Sequence, residues 1–302
     1  MRFLIAGATG LIGKRLLNVI SDRKHEVNIL TTSKNLNQSN DYFNIFYWNP
    51  ESGIIDENCV SGVDVVINLA GSPIAQLWTR KAKKSILQSR VRSIELLNKA
   101  ILNNKDCRVK QFICASAIGL YKSDSNINHD EKSKDFSNSF LADTVIKWEN
   151  ACDVFNSSNI NVVKIRIGLV LSLKAGFLKP IVMSSKFFAG TWFGKGLNIY
   201  SWIHIYDVVS AILFLVDKNS TGIYNLVAPN PVNSKNFMLE LSNKLNRRII
   251  LPSIPLKLVK MLTGKMSELL IFSQKVSCEK IIKEGFKYEF KDLNSALEDL
   301  LK

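Results

Sequence analysis

One stretch near the start limits what this chain can fold into. MRFLIAGATGLIGKRLL runs from an apolar, strand-like segment through three glycines, Gly7, Gly10 and Gly13, into a helix-like pattern. Gly7 permits a tight turn out of the strand. Gly10 lets backbone approach a pyrophosphate, whose charge is met by the amides of the helix start, and Gly13 lets the helix pack closely on the strand. The binding turn then comprises Gly7, Thr9, Gly10, Leu11, Ile12 and Gly13. A βα turn without a ligand is the alternative; strand, helix and three spaced glycines together favour the binding turn.

The segments that follow repeat the alternation of that first unit. RFLIAGA, EVNILTT, NIFYWN, VDVVINLAG, KQFICASAIG and NVVKIRIGLVL are apolar runs, with helical patterns near 11–22, 79–103 and 138–155 between them. Continuous apolar runs suit strands covered on both faces, so the expected class is α/β, a Rossmann-like doubly wound parallel sheet. After about residue 171 the texture shifts to Gly, Lys and aromatic residues in LKAGFLKPIVMSSKFFAGTWFGKG. SWIHIYDVVSAILFLVD then reads as a return to the sheet, with Asp207 placed as a helix N-cap, and GIYNLVAP adds a strand. Residues 1–170, with 201–226 returning to them, are expected to form the dinucleotide domain. Residues 171–200 and 227–302 are expected to form a smaller C-terminal α/β domain on the substrate side.

Composition narrows the function classes. The 302 residues are 46% hydrophobic and 22% charged, an ordinary globular balance. No run of about 18 uncharged apolar residues marks a transmembrane helix. The chain enters its first strand without a basic leader, so a cytoplasmic protein with no membrane partner is expected. The 5 cysteines are far apart, with no CxxC pair and no His at metal spacing, which supports neither a metal site nor a disulfide framework. The net charge of +14 raises the question of an anionic partner, whether nucleic acid, a membrane or a phosphorylated ligand. Lysines are spread along the whole chain, densest in TRKAKKSILQSRVR, and a general residue bias explains them, so no nucleic-acid partner is expected. Monomer and homodimer both remain open.

The end of the second strand selects the dinucleotide. An NAD site places an Asp or Glu there to accept from the ribose 2′-hydroxyl. This chain has Thr31, Thr32, Ser33 and Lys34, and no carboxylate, which favours NADP over NAD. Taken alone, Lys34 would be an ordinary surface lysine. In VINLAGSPI, Leu69, Ala70 and Gly71 are placed to run past the adenosine ribose, with a plain turn glycine as the alternative for Gly71. Ser89 and Arg90 on the following helix either point back at the cofactor phosphates or do not.

With GATGLIG, NLAG, SAIG and WIHIYD in this order, the chain resembles the extended short-chain dehydrogenase/reductases, and most closely their atypical epimerase-family branch. WTRKAKKSILQSRV, WENA, VVKIRIGLVLS, GIYNLVAPNPV, SELLIFSQKV and GFKYEF extend the resemblance over nearly the whole chain. It implies an NADP-binding Rossmann-like domain using the Gly7–Gly13 turn, Thr31, Thr32, Leu69, Ala70, Arg90 and Arg166. There are departures. The branch usually has Arg at Thr32, Arg at Leu77, and two acids at Tyr206 and Asp207. Without an Arg at Thr32, the 2′-phosphate falls to Lys34 and Arg90.

The catalytic half departs further. Most relatives use a Tyr and a Lys four residues later on one helix, where the Lys lowers the Tyr pKa and the Tyr exchanges a proton with the substrate oxygen. Counting back from Glu149 by the family offset places Leu141 and Val145 at those positions, so the dyad is absent. Lys147 lies on a different helical face and is expected to be solvated. Ser116 stands where relatives keep a substrate-binding hydroxyl, or is a simple strand-end hydroxyl. Tyr121 is either a replacement acid, its pKa lowered beside the cofactor, or an aromatic lining the pocket. His204 is read as a structural histidine in preference to an acid–base group. Trp192, Phe193 and Trp202 either line a cleft or pack in the core, and Asp130 and Glu131 read as a solvated acidic patch.

Two functions follow. The first is an NADP-dependent oxidoreductase, with a sugar epimerase as a weaker variant, acting on an unknown small molecule. The second is a non-catalytic NADP-binding regulatory or sensor protein.

Overall fold

A computed structural model describes residues 1–33 and 43–302. Lys34 lies outside the described residues. Among the described residues the main sheet has eight strands: β1 (Arg2–Ala6), β2 (Glu26–Thr31), β3 (Phe43–Asn49), β4 (Ile54–Ile55), β5 (Val65–Asn68), β6 (Gln111–Ala117), β7 (Asn161–Ile167) and β8 (Gly222–Leu226). Their order is β8-β7-β6-β5-β1-β2-β3-β4. Every neighbouring pair is parallel except β3–β4.

The period of two along a strand explains how one apolar run serves two cores. Phe3 and Ile5 of β1 face α1 (Leu11–Asp22), where they pack with Leu16 and Ile20. Leu4 and Ala6 face the opposite layer, with Ile94 and Leu97 of α2 (Arg80–Asn103) and Trp148 of α3 (Phe140–Ala151). α4 (Ile205–Asp217) joins α1 on the first face through Val208 and Ile212. Strands so covered have no polar face, and this is why they read as continuous apolar runs. Helices α2 and α3 are capped by short polar side chains. Thr79 accepts from the Ala82 amide and Ser139 from the Ala142 amide.

The sheet order reverses at β1, which has β2 on one side and β5 on the other. In an open parallel sheet that reversal opens a crevice at the carboxyl ends of the strands. A third core forms beyond it. Trp202, Tyr200, Phe237 and Leu297 pack helices Leu178–Lys186, Ser234–Lys244 and Leu293–Leu301 together. A strand that sequence reading did not anticipate, Asp124–His129, pairs in parallel with Gln274–Val276 and ties this C-terminal layer to the end of β6. No helix among the described residues is long and apolar enough to cross a membrane.

The start of α4 corrects one expectation. Its N-cap is His204, whose Nδ1 accepts from the Tyr206 amide at 3.2 Å. Asp207 is instead fully buried in the first turn and accepts from the Glu289 and Phe290 amides at 2.9 and 3.0 Å. A carboxylate on the first turn also meets the positive end of the helix, so one residue both favours the helix start and pins a segment some eighty residues away. His204 is held neutral. Burial against Phe290 pushes its pKa from 6.5 down to about 4, opposed only by Asp299, whose carboxylate lies 3.4 Å from Nε2.

A histidine with a lowered native pKa binds its proton in the unfolded chain first. Stability is therefore intact above about pH 6.5 and falls as the pH drops towards 4, by about 3 kcal/mol from this one group. Replacing His204→Asn keeps a capping side chain and removes the titration. The melting temperature of this variant is expected to fall less between pH 7 and pH 4.5 than that of the wild type; parallel curves would refute the assignment.

Candidate dinucleotide site

At the crevice, backbone touches backbone. Gly7 has φ +83°, and a Cβ there would lie 2.7 Å from both the carbonyl carbon and oxygen of Leu69. The Leu69 amide in turn donates to Ala6 O at 2.9 Å, so the end of β1 and the exit from β5 are in direct contact. A Cβ on Gly13 would lie 2.3 Å from Gly7 O and 2.7 Å from Ala8 Cα, which places α1 directly on the turn. Both positions exclude any side chain. Gly10 donates to Gly7 O at 3.0 Å and caps α1 in an extended conformation with no side-chain acceptor. The first turn of α1 carries no acid. Thr9 and Gly10 are exposed and Leu11 and Ile12 half-buried. First-turn amides lacking side-chain acceptors, at the positive end of a helix, form an anion site.

The neighbouring wall is cationic. Arg90, on α2, is only 6% exposed, with its guanidinium packed against Gly71, where a Cβ would lie 2.9 Å from Cζ. It donates to the carbonyls of Ile86 and Ser72 at 2.8 and 3.2 Å and stacks 4.9 Å from the Trp148 ring centroid. Its Nε has no partner. No acid pairs with it among the described residues, and burial alone pushes its pKa down to about 10. Ser89 is used differently, accepting from the Ser72 amide at 2.9 Å and so shaping the loop after β5. Thr31 is buried and its Oγ1 accepts from the Ser33 amide, whereas Thr32 is exposed. Ala70 is held by Asn68, whose side chain accepts from its amide. A buried guanidinium with an orphaned nitrogen, beside glycines whose missing Cβ atoms leave the backbone bare, fits a dinucleotide's phosphates.

The proposed catalytic residues lie in a different environment from the one expected. Glu149, on α3, accepts from Arg166 Nε and Nη2, both at 2.8 Å, and from Ser116 Oγ at 2.6 Å. Arg166 Nη1 donates to the Tyr121 hydroxyl at 2.8 Å, and that hydroxyl donates to Asn225 Oδ1 at 2.8 Å or to Asp130 O at 3.0 Å. The group is buried throughout.

This network engages three of the residues named from the sequence. Arg166 is the bidentate partner of Glu149, with three nitrogens already bonded, and is not placed as a phosphate ligand. Tyr121 is fully buried, and burial pushes its pKa up to about 12 despite Arg166, the reverse of the lowering a replacement acid needs. Ser116 directs its hydroxyl proton to Glu149.

Val145 is buried and Leu141 half-buried on α3, the helix that carries Glu149. Lys147 is exposed and pairs with Asp143 at 2.9 Å, as a solvated lysine would. Trp202 is core, its indole donating to Asn230 O. Trp192 and Phe193 are half-buried, and Glu131 accepts from the Asn225 amide instead of standing in a solvated patch.

The hub of the network, Glu149, had served only as a counting mark in the sequence. Its role follows from α3, β6 and β7 meeting, which no local spacing reveals. Removing one partner of a buried ion pair strands the other. We expect Glu149→Gln to lower unfolding free energy by about 3–5 kcal/mol in urea, and a loss under about 1 kcal/mol would show that the pair is not a structural hub.

Comparison with known proteins agrees with this geometry. Residues 3–226 match the NAD dependent epimerase/dehydratase family, and 251–300 match a domain of unknown function, DUF1731. Epimerase family protein SA0724 of Staphylococcus aureus is 34% identical over 304 residues, covering 100% of this chain and 99% of that protein. Among solved structures, the human epimerase family protein SDR39U1 with NADPH superposes with a TM-score of 0.86 at 26% identity, over 99% of both chains. A nucleoside-diphosphate sugar epimerase from Corynebacterium glutamicum gives 0.79 at 25% identity, over 100% of this chain and 58% of that one.

Proposed function

Because the chain belongs to the NAD dependent epimerase/dehydratase family, we propose that it binds NADP(H) across the Gly7–Gly13 turn, Leu69–Gly71 and Arg90, and acts as an oxidoreductase or epimerase-like enzyme on a small molecule. The observation that carries this reading is Arg90. A buried guanidinium without an acid is unfavourable until an anion completes it, and the dinucleotide phosphates supply that anion. NADP is favoured over NAD because Thr31 and Thr32 stand where a carboxylate would hold a ribose 2′-hydroxyl, and because the human relative carries NADPH. The five cysteines, all free, suit a reducing cytoplasm.

The cofactor supplies hydride chemistry when bound. Leu141 and Val145 cannot move a proton, and Ser116 and Tyr121 are committed to Glu149 and Arg166. A proton exchanged at a substrate oxygen therefore comes from a group other than these four. The same commitment favours a second reading, an NADP(H)-binding regulatory protein whose occupancy sets its interactions.

Titration of the purified protein with NADPH, followed by ligand fluorescence, is expected to show saturable micromolar binding, weaker for NADH. Arg90→Gln is expected to weaken NADPH binding by about tenfold or more, the scale of a charged hydrogen bond, with Thr32→Ala affecting NADPH more than NADH. Absence of saturable binding overturns both readings. Turnover in a screen of carbonyl compounds and sugar nucleotides supports the enzyme, and tight binding without turnover supports the regulator.

A further inference from the structure

Two stretches of the C-terminal layer that are distant in sequence, 186–197 and 247–265, lie side by side. Thr191 Oγ1 donates to Pro252 O at 2.9 Å, and the Gly194 amide donates to Ile254 O at 2.8 Å. The Arg247 guanidinium lies 5.4 Å from the Phe188 ring centroid. Together the two stretches carry seven lysines and arginines and no aspartate or glutamate. All seven are exposed, and among the described residues none is in an ion pair. Large apolar side chains stand in solvent among them: Phe187 at 81% exposure, Ile250 at 67%, Met261 at 73% and Leu262 at 71%. The last two belong to the helix Leu256–Thr263, which buries Val259 and leaves Leu258, Met261 and Leu262 exposed alongside Lys257 and Lys260.

We propose that this face docks the protein on an anionic lipid surface, the apolar side chains entering the boundary below the headgroups and the lysines and arginines pairing with the headgroups. Exposed apolar side chains grouped in this way mark an interaction surface, and the unbroken positive charge requires the partner to be negative. A second copy meeting this face through a two-fold axis would set seven cations against seven, so a homodimer here is opposed by its own charge. A nucleic-acid backbone would satisfy the lysines and leave Met261 and Leu262 in water; a bilayer takes both. The expectation of no membrane partner rested on lysines dispersed along the sequence, and the fold gathers seven of them. Docking of this kind needs no spanning helix and is independent of the dinucleotide reading.

The test is cosedimentation of the full chain with vesicles of phosphatidylglycerol and phosphatidylcholine, against vesicles of phosphatidylcholine alone. Binding to the anionic vesicles at low salt, released at high salt, is expected. Lys257→Gln with Lys260→Gln should weaken it about twenty-five-fold, from about fivefold per basic residue at an anionic surface. Met261→Ser with Leu262→Ser should weaken it at unchanged charge. Lys99→Gln with Lys105→Gln, exposed at and just beyond the end of α2, should leave it intact. Melting temperatures confirm that each variant is folded, and NADPH titration of each keeps the dinucleotide reading separate. No anionic-vesicle binding, equal binding to neutral vesicles, equal loss in the Lys99/Lys105 pair, or retention by RNA in place of vesicles would overturn the proposal.

Discussion

The fold turns on a place where no side chain fits. The end of β1, the exit from β5 and the first turn of α1 approach so closely that a Cβ at Gly7 or Gly13 would collide with backbone atoms at 2.7 and 2.3 Å. Everything that makes the crevice follows from that approach. It sets α1 directly over the end of β1, so the first-turn amides of the helix lie at the carboxyl edge of the sheet. It brings the loop after β5 against the same turn, and that loop carries Gly71, the glycine on which Arg90 packs. A positive helix end and a buried cation thus lie on two sides of one crevice, joined by glycine backbone that leaves room for a flat, charged ligand. Glycine is required here by contact distance, and its conformational freedom matters in addition only at Gly7.

A second constraint holds the opposite wall. Glu149, Arg166, Tyr121, Ser116 and Asn225 form one buried hydrogen-bonded chain that links α3, β6, β7, β8 and the turn after β6. Such a chain is tolerated inside a protein only when nearly every member is satisfied, since an unpaired charge there is severe. Glu131 and Gln274 extend it, one accepting from the Asn225 amide and the other donating to Tyr121 O, so the C-terminal layer is registered against the sheet through polar contacts as well as apolar ones. Leu141 and Val145 stand on the same helix as Glu149. This side of the sheet is therefore bonded within itself where it is polar and packed where it is apolar.

How much of this the sequence discloses depends on the distance over which each property is set. The sheet, its helices and the Gly7–Gly13 turn are all local, written in spacings of two to eight residues, and they are legible directly. The cap of α4 is not legible locally: Asp207 has the capping residue type, and only the arrival of 289–290 over the first turn engages its carboxylate and leaves the cap to His204. The Asp124–His129 strand has no apolar alternation of its own and exists because Gln274–Val276 is there to pair with it.

Availability is the property that residue type cannot carry. Ser116, Tyr121 and Arg166 have the chemistry that a dinucleotide site uses, and each has already bonded that chemistry to a neighbour dozens of residues away. Arg90 has the same chemistry as Arg166 and differs in one respect: among the described residues no carboxylate reaches it. Glu149 takes two nitrogens of one arginine, while the α2 layer around the other offers only carbonyls and an indole ring. A buried cation left without a carboxylate keeps its charge for an anion from outside the chain, and the distinction between these two arginines exists only once α2, α3 and β7 are placed around them.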